Sequence, residues 1–167
     1  MLELLYSELK SLNKDKKPVL ILGVGNLLLG DEGFGIHMVE RMRAAPLPEF
    51  VEILDGGTVS FELLYSIFGR KKVILIDAID SDDKPGTLYR FRPEDVSLKA
   101  LPATTAHQLQ LAELLHFIMK MTQHPEVIIY AVVPQNTEIS LALSETVSQT
   151  GDRLIAMITK EIGCYQV

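Results

Sequence analysis

The sequence predicts an α/β fold, a three-layer sandwich in which a mostly parallel sheet of five strands lies between helices. Two observations carry the prediction. Short apolar runs of strand length alternate with helical stretches of about 10–15 residues, the signature of a parallel sheet covered on both faces. The chain has 167 residues, 47% hydrophobic and 23% charged, enough for one domain to bury a core without disulfides or a structural metal.

The elements follow in chain order. Residues 1–17 read as an amphipathic helix, with Leu2, Leu5, Leu9 and Leu12 along one side, and a charged linker. They form an N-terminal helical extension ahead of a single domain at 18–167. Val19-Leu20-Ile21-Leu22 is a buried first strand, because every residue is apolar and helix breakers follow at Gly23 and Gly25. The helix expected over 33–44 places Phe34, Met38, Val39 and Met42 on one side. Val51-Glu52-Ile53-Leu54 is the second strand, stopped by Asp55-Gly56-Gly57-Thr58, and a helix follows through Phe61, Leu64 and Phe68. Val73-Ile74-Leu75-Ile76 is the third, ending at Asp77. Asp82, Asp83, Pro85 and Gly86 make a turn, and residues 87–92 alternate like an edge strand. Thr104 or Thr105 is the expected N-cap of a helix carrying Leu109, Leu111, Leu114, Leu115 and Ile118. A fifth strand over 127–133 and a last helix over 144–161 complete the domain.

Charge narrows the function. With 22 acidic against 16 basic residues the formal net charge is −6, so the chain lacks the basic excess that binds nucleic-acid phosphates. The cluster Lys14, Lys16 and Lys17, interrupted by Asp15, reads as a solvated linker. A lone cysteine, Cys164, forms no internal disulfide and fits a reducing compartment. No apolar run reaches the roughly 18–20 residues that span a bilayer, and Glu3, Glu8 and Lys10 interrupt any signal core. The expectation is a cytoplasmic monomer with no nucleic-acid or membrane partner.

Ligands of an open parallel sheet bind beyond the carboxyl ends of its strands, which singles out residues 23–35, 55–58 and 77–80. The first segment is no dinucleotide fingerprint, having Leu28 where glycine is required, and no phosphate loop, lacking Gly-Lys-Ser/Thr. Its carboxylates would also repel a phosphate. Asp31 reads as a helix cap. Glu32, between Asp31 and a glycine, can face a cleft. Asp77 either closes a turn or belongs to the same cleft. His107 falls in the first turn of its helix, where the positive helix end keeps the imidazole neutral. A neutral imidazole and two carboxylates suit a divalent transition metal. His37 and His116 lie inside helices as packing or surface residues, and His124 precedes Pro125 in a loop. There is no His-Glu-x-x-His, Cys-x-x-Cys or Gly-x-Ser-x-Gly motif. The residues alone thus lead to a carboxylate-rich cleft with its chemistry open.

These segments resemble the hydrogenase maturation endopeptidases, which finish the large subunit of nickel–iron hydrogenases. The likeness lies in Gly23-Val24-Gly25-Asn26-Leu27-Leu28-Leu29-Gly30-Asp31-Glu32-Gly33-Phe34-Gly35, in Val51 to Thr58, in Asp77-Ala78 and in His107-Gln108-Leu109, over roughly residues 18–160. The resemblance implies a twisted sheet between helices and hydrolysis of one peptide bond near the substrate's C-terminus after nickel insertion. It implies that Glu32, Asp77 and His107 are the metal-contacting and catalytic triad. Asp55 would be a further catalytic carboxylate, with Asn26, Gly56, Gly57 and Thr58 contacting substrate. The nickel would arrive on the precursor of the large subunit, the expected partner, and the N-terminal extension is additional to the family core. Two other chemistries are open to these residues. One is an aspartyl protease in which Asp55 and Asp77 share a proton, which needs them about 3 Å apart. The other is a non-catalytic chaperone that senses nickel occupancy.

Overall fold

The computed structural model describes residues 4, 7–8, 15–60, 62–95, 106–121 and 123–165, with residues 106–108 described by their backbone alone. The expected cap at Thr104 or Thr105 and most of the N-terminal extension lie outside them.

Among the described residues five strands form one sheet. They are β1 (Val19–Gly23), β2 (Val51–Asp55), β3 (Lys72–Ala78), β4 (Leu88–Phe91) and β5 (Glu126–Val132), in the spatial order β2-β1-β3-β5-β4. The first four in that order are parallel, and β4 closes the edge antiparallel to β5. The helices that cover the sheet are α1 (Phe34–Met42), α2 (Leu63–Ile67), α3 (Ala106–Met119) and α4 (Glu145–Gly163). The expected mostly parallel five-stranded sheet between helices is what is found.

Apolar residues continue without interruption in β1 because both faces of this strand are buried. Leu20, Leu22, Val73, Leu75, Val127 and Ile129 meet α2 and α3 on one face. Val19, Ile21, Ile74, Ile76, Ile128 and Tyr130 meet α1 and α4 on the other. Each large aliphatic side chain so enclosed contributes about 1.5–3 kcal/mol.

Two details differ from the sequence expectation. A 3-10 turn at Gly30–Gly33 precedes α1, because the chain must first fold back over the end of β1. Lys16 and Lys17 are also not simply solvated. Lys16 donates to the Tyr65 carbonyl and Lys17 to that of Val51, 3.1 Å away, while Arg70 donates to the Lys17 carbonyl at 2.6 Å. The linker is thereby pinned where the strands begin.

That same end of the sheet carries a polar network. Lys72, the first residue of β3, is buried and reaches Glu161 of α4 at 2.6 Å. Tyr130 donates to the other Glu161 oxygen at 2.7 Å, and Arg90 lies 3.5 Å from the carboxylate. Burial would raise the Glu161 carboxyl, but the hydrogen bonds from Lys72 and Tyr130 and the charges of Lys72 and Arg90 outweigh it and hold the carboxyl below its ordinary value.

Candidate active site

The chain leaves β1 toward β2 on one side, and β3 lies on the other, so the crevice beyond the carboxyl ends of β1 and β3 is the switch point where ligands bind in such sheets. Three backbone hydrogen bonds build its floor. Val24 N–H donates to the Ile76 carbonyl at 3.0 Å, Gly25 N–H to Gly57 at 2.9 Å and Gly56 N–H to Gly23 at 2.8 Å. The segments after β1, β2 and β3 therefore meet there.

Glycine spacing in the first segment has a steric cause. A Cβ on Gly35 would stand 2.1 Å from the Ile76 carbonyl oxygen, and one on Gly23 would stand 2.1 Å from the Gly35 oxygen. Only bare backbone lets α1 start against the ends of β1 and β3. At Gly25, φ is 146° and a Cβ would lie 2.0 Å from the Glu32 carbonyl oxygen, so glycine alone lets residues 26–32 fold back over the strand end. Asn26 N–H then donates to the Glu32 carbonyl at 3.0 Å, and Glu32 N–H to Leu29 at 3.1 Å. The Asn26 side-chain oxygen accepts from Leu28 N–H at 3.0 Å, so Asn26 shapes this loop.

Glu32 is half-buried in that loop. Asp77 is 3% exposed and is the last but one residue of β3, so it lies inside the strand rather than terminating it. Its Oδ1 accepts the Ala78 N–H at 2.8 Å. It shares the pleat face of Val73 and Leu75, the face that α2 and α3 cover. Because α3 leads into β5, which is parallel to β3, the helix runs back along the sheet and begins at the strands' carboxyl ends. His107 lies in its first turn, and the His107 side chain is outside the described residues. Backbone topology thus brings the segments of Glu32, Asp77 and His107 to one crevice.

Asp55 stands apart. It is exposed at the end of β2, and its Oδ1 accepts the Gly57 N–H at 2.8 Å, forming the turn through Gly56 and Gly57. Two strand spacings, about 10 Å, separate Asp55 from Asp77, since Asp55 pairs with Gly23 and Gly23 with Ile76. Asp55 shares the face of Val51 and Ile53, opposite that of Asp77. This is not the geometry of two carboxyls sharing one proton. A Cβ on Gly57 would meet nothing within 4 Å, so Gly57 borders open space, and Thr58 beside it is exposed.

Asp31 is not the helix cap the sequence suggested, and neither the turn nor α1 has a side-chain cap. Its carboxylate, fully buried, turns instead to the segment after β5. It accepts from Gln135 N–H at 2.8 Å, Asn136 N–H at 2.9 Å, Ser144 N–H at 2.7 Å and the Ser144 hydroxyl at 2.8 Å. Sequence reasoning missed this segment, although the rule that ligands sit beyond strand ends applies to β5 as well. His37 behaves as the packing residue expected of it. Burial, and then the Arg41 charge, lower its imidazole below the ordinary value despite the opposing effects of the Leu141 backbone and Asp31. Its Nε2 is buried without a hydrogen-bond partner among the described residues.

Comparison with known proteins agrees with this fold. A family model described as hydrogenase maturation protease matches residues 36–161, a span that includes Asp77 and His107 and starts just after Glu32. The hydrogenase 2 maturation protease of Escherichia coli K12 is 39% identical over 132 residues, covering 77% of this chain and 80% of the relative. A putative hydrogenase maturation protease of Methanocaldococcus jannaschii is 32% identical over 154 residues, covering 88% and 97%. Among solved structures, the hydrogenase maturating endopeptidase HybD from E. coli superposes with a TM-score of 0.79 at 34% identity, covering 87% of this chain and 91% of that one. With sheet and relatives in accord, the chain belongs to the hydrogenase maturation proteases, and it is a peptidase.

Proposed function

We propose that this peptidase removes a short C-terminal peptide from the nickel-loaded large-subunit precursor of a nickel–iron hydrogenase, in the cytoplasm. The observation that carries the reading is the meeting of the Glu32 loop, the Asp77 strand end and the first turn of α3 at the switch-point crevice. Two carboxylates and an imidazole make a donor set for a divalent transition metal, and three such ligands leave coordination positions for groups of a substrate. Nickel here is cargo of the precursor. Held by Glu32, Asp77 and His107, it would mark the precursor as loaded and would supply a Lewis acid for the scissile carbonyl or an attacking water.

This chain's own residues hold the pieces in register. The Ala78 N–H fixes one oxygen of Asp77. The loop closed between Asn26 and Glu32 sets Glu32 at the rim. The Asp55 turn packs Gly56 against Leu22 and Val24 and presents Gly57 and Thr58, where an extended substrate strand can lie close to the backbone. The separation of Asp55 from Asp77 favours this metal-docking reading over an aspartyl dyad.

The test is mass spectrometry of the precursor, nickel-loaded and nickel-free, after incubation with wild type, Glu32→Ala or His107→Ala. Loss of a C-terminal peptide from loaded precursor with wild type alone is expected, each substitution slowing cleavage at least about 100-fold. Equal cleavage of nickel-free precursor would remove the metal's role. Precursor bound but intact under every condition would favour the occupancy-sensing chaperone.

A further inference from the structure

Four large aliphatic side chains stand in solvent beside the crevice, on two segments far apart in sequence. Leu27 is 38% exposed and Leu28 61%, in the loop that carries Glu32, while Ile139 is 89% and Leu141 71% exposed in the segment after β5. The two segments are stitched together by their backbones. Ser140 N–H donates to the Leu28 carbonyl at 3.0 Å, and Gly30 N–H donates to that of Ser140 at 2.8 Å. Asp31 N–H donates to the Asn136 carbonyl at 2.8 Å, and the four hydrogen bonds to the Asp31 carboxylate lock the same segment from beneath. These side chains are therefore displayed from a braced platform, and a ligand would not have to order the loops on arrival.

We propose that this platform is a substrate-docking face, and that it takes an aliphatic stretch of the precursor polypeptide next to the bond that is cut. The proposal rests on the function proposed above. Its occupant follows from continuity. A peptidase must receive a polypeptide, and the loop that carries Leu27 and Leu28 closes on Glu32 through the Asn26 and Leu29 backbone. A chain threaded toward Glu32 crosses these side chains, and exposed aliphatic clusters of this kind mark protein-binding surfaces. Leu28, Ile139 and Leu141 thereby select the substrate without taking part in the chemistry.

Steady-state cleavage of nickel-loaded precursor by wild type and by the triple variant Leu28→Ser/Ile139→Ser/Leu141→Ser tests the assignment, with Tm measured for both. The expected result is a KM raised about tenfold or more with kcat retained and Tm nearly unchanged. An unchanged KM, or a loss confined to kcat, would overturn it. Should the triple variant fail to fold, Ile139→Ser alone carries the same test at the most exposed position. Direct binding of precursor separates this idea from the function beneath it. If wild type binds without cleaving and the variant binds more weakly, the docking face stands and the endopeptidase reading falls. Equal binding by both proteins, or no binding by wild type, overturns the docking face. A wild-type dimer that the triple variant dissolves would give the surface to a second copy of this chain and overturn it too.

Discussion

Asp31 shows how one side chain can fix two distant segments against each other. A fully buried carboxylate is costly unless its oxygens are satisfied, and here four donors from residues 135–144 satisfy them. Asp31→Ala should cost about 3 kcal/mol or more, since it strands those donors beneath the loop. Urea denaturation would measure the loss, and hydrogen exchange should show it concentrated in residues 135–144. Asp31 also marks what local sequence cannot reveal. As a sequence neighbour of α1 it looked like a cap, because nothing nearby discloses partners more than 100 residues away. The placement of Glu32 and Asp77 near the carboxyl ends of β1 and β3 was legible, because glycines and apolar runs mark those ends locally. The four aliphatic side chains of the platform were not, since an isolated leucine gives no sign of which way it faces.

At the scale of elements, β1, β3 and β5 could be read to within two residues, because a strand buried on both faces needs a continuous apolar run. The order β2-β1-β3-β5-β4 was not legible, as it depends on pairings between distant segments. The junction of α1 with the sheet lies between these cases. Glycines at 23 and 35 announce a close approach, and the structure supplies its object, the Ile76 carbonyl. Gly35→Ala would drive a Cβ into backbone that has no flexible end to move, so α1 must shift. The expected cost is at the upper end of overpacking, about 3 kcal/mol. Cleavage should fall too, since Glu32 sits one turn ahead of that junction, and a Gly35→Ala protein that keeps wild-type Tm would refute the steric reading.

The whole molecule divides its labour between the two ends of one sheet. Glu32, Asp77 and the start of α3 lie at the carboxyl ends, while Glu161, near the far end of α4, binds Lys72 at the start of β3 and the side chains of Tyr130 and Arg90 that reach it from β5 and β4. Glu161→Gln should therefore lower stability by about 1–2 kcal/mol at neutral pH and leave kcat/KM unchanged. The folded carboxyl titrates below its ordinary value, so the unfolded chain binds the proton more readily. The stabilisation is complete above the unfolded range near 4.3 and disappears as pH falls through the lower folded value. Melting curves of wild type and Glu161→Gln should converge in acid, and a gap that stays constant down to pH 2 would refute the assignment.

The antiparallel edge has a consequence for a chain emerging from the ribosome. Strand β4 is complete at Phe91, yet its partner, β5, begins at Glu126 and slots between β4 and β3. Until Val132 is outside the exit tunnel, at most the three strands β2, β1 and β3 can pair, with one flank of β3 bare and β4 unmatched. Exposed strand flanks recruit other chains, so the interval in which residues 92–132 emerge is when a chaperone matters most. A chain stalled in that interval cannot close its sheet, and α3 lacks the β5 share of the face it covers.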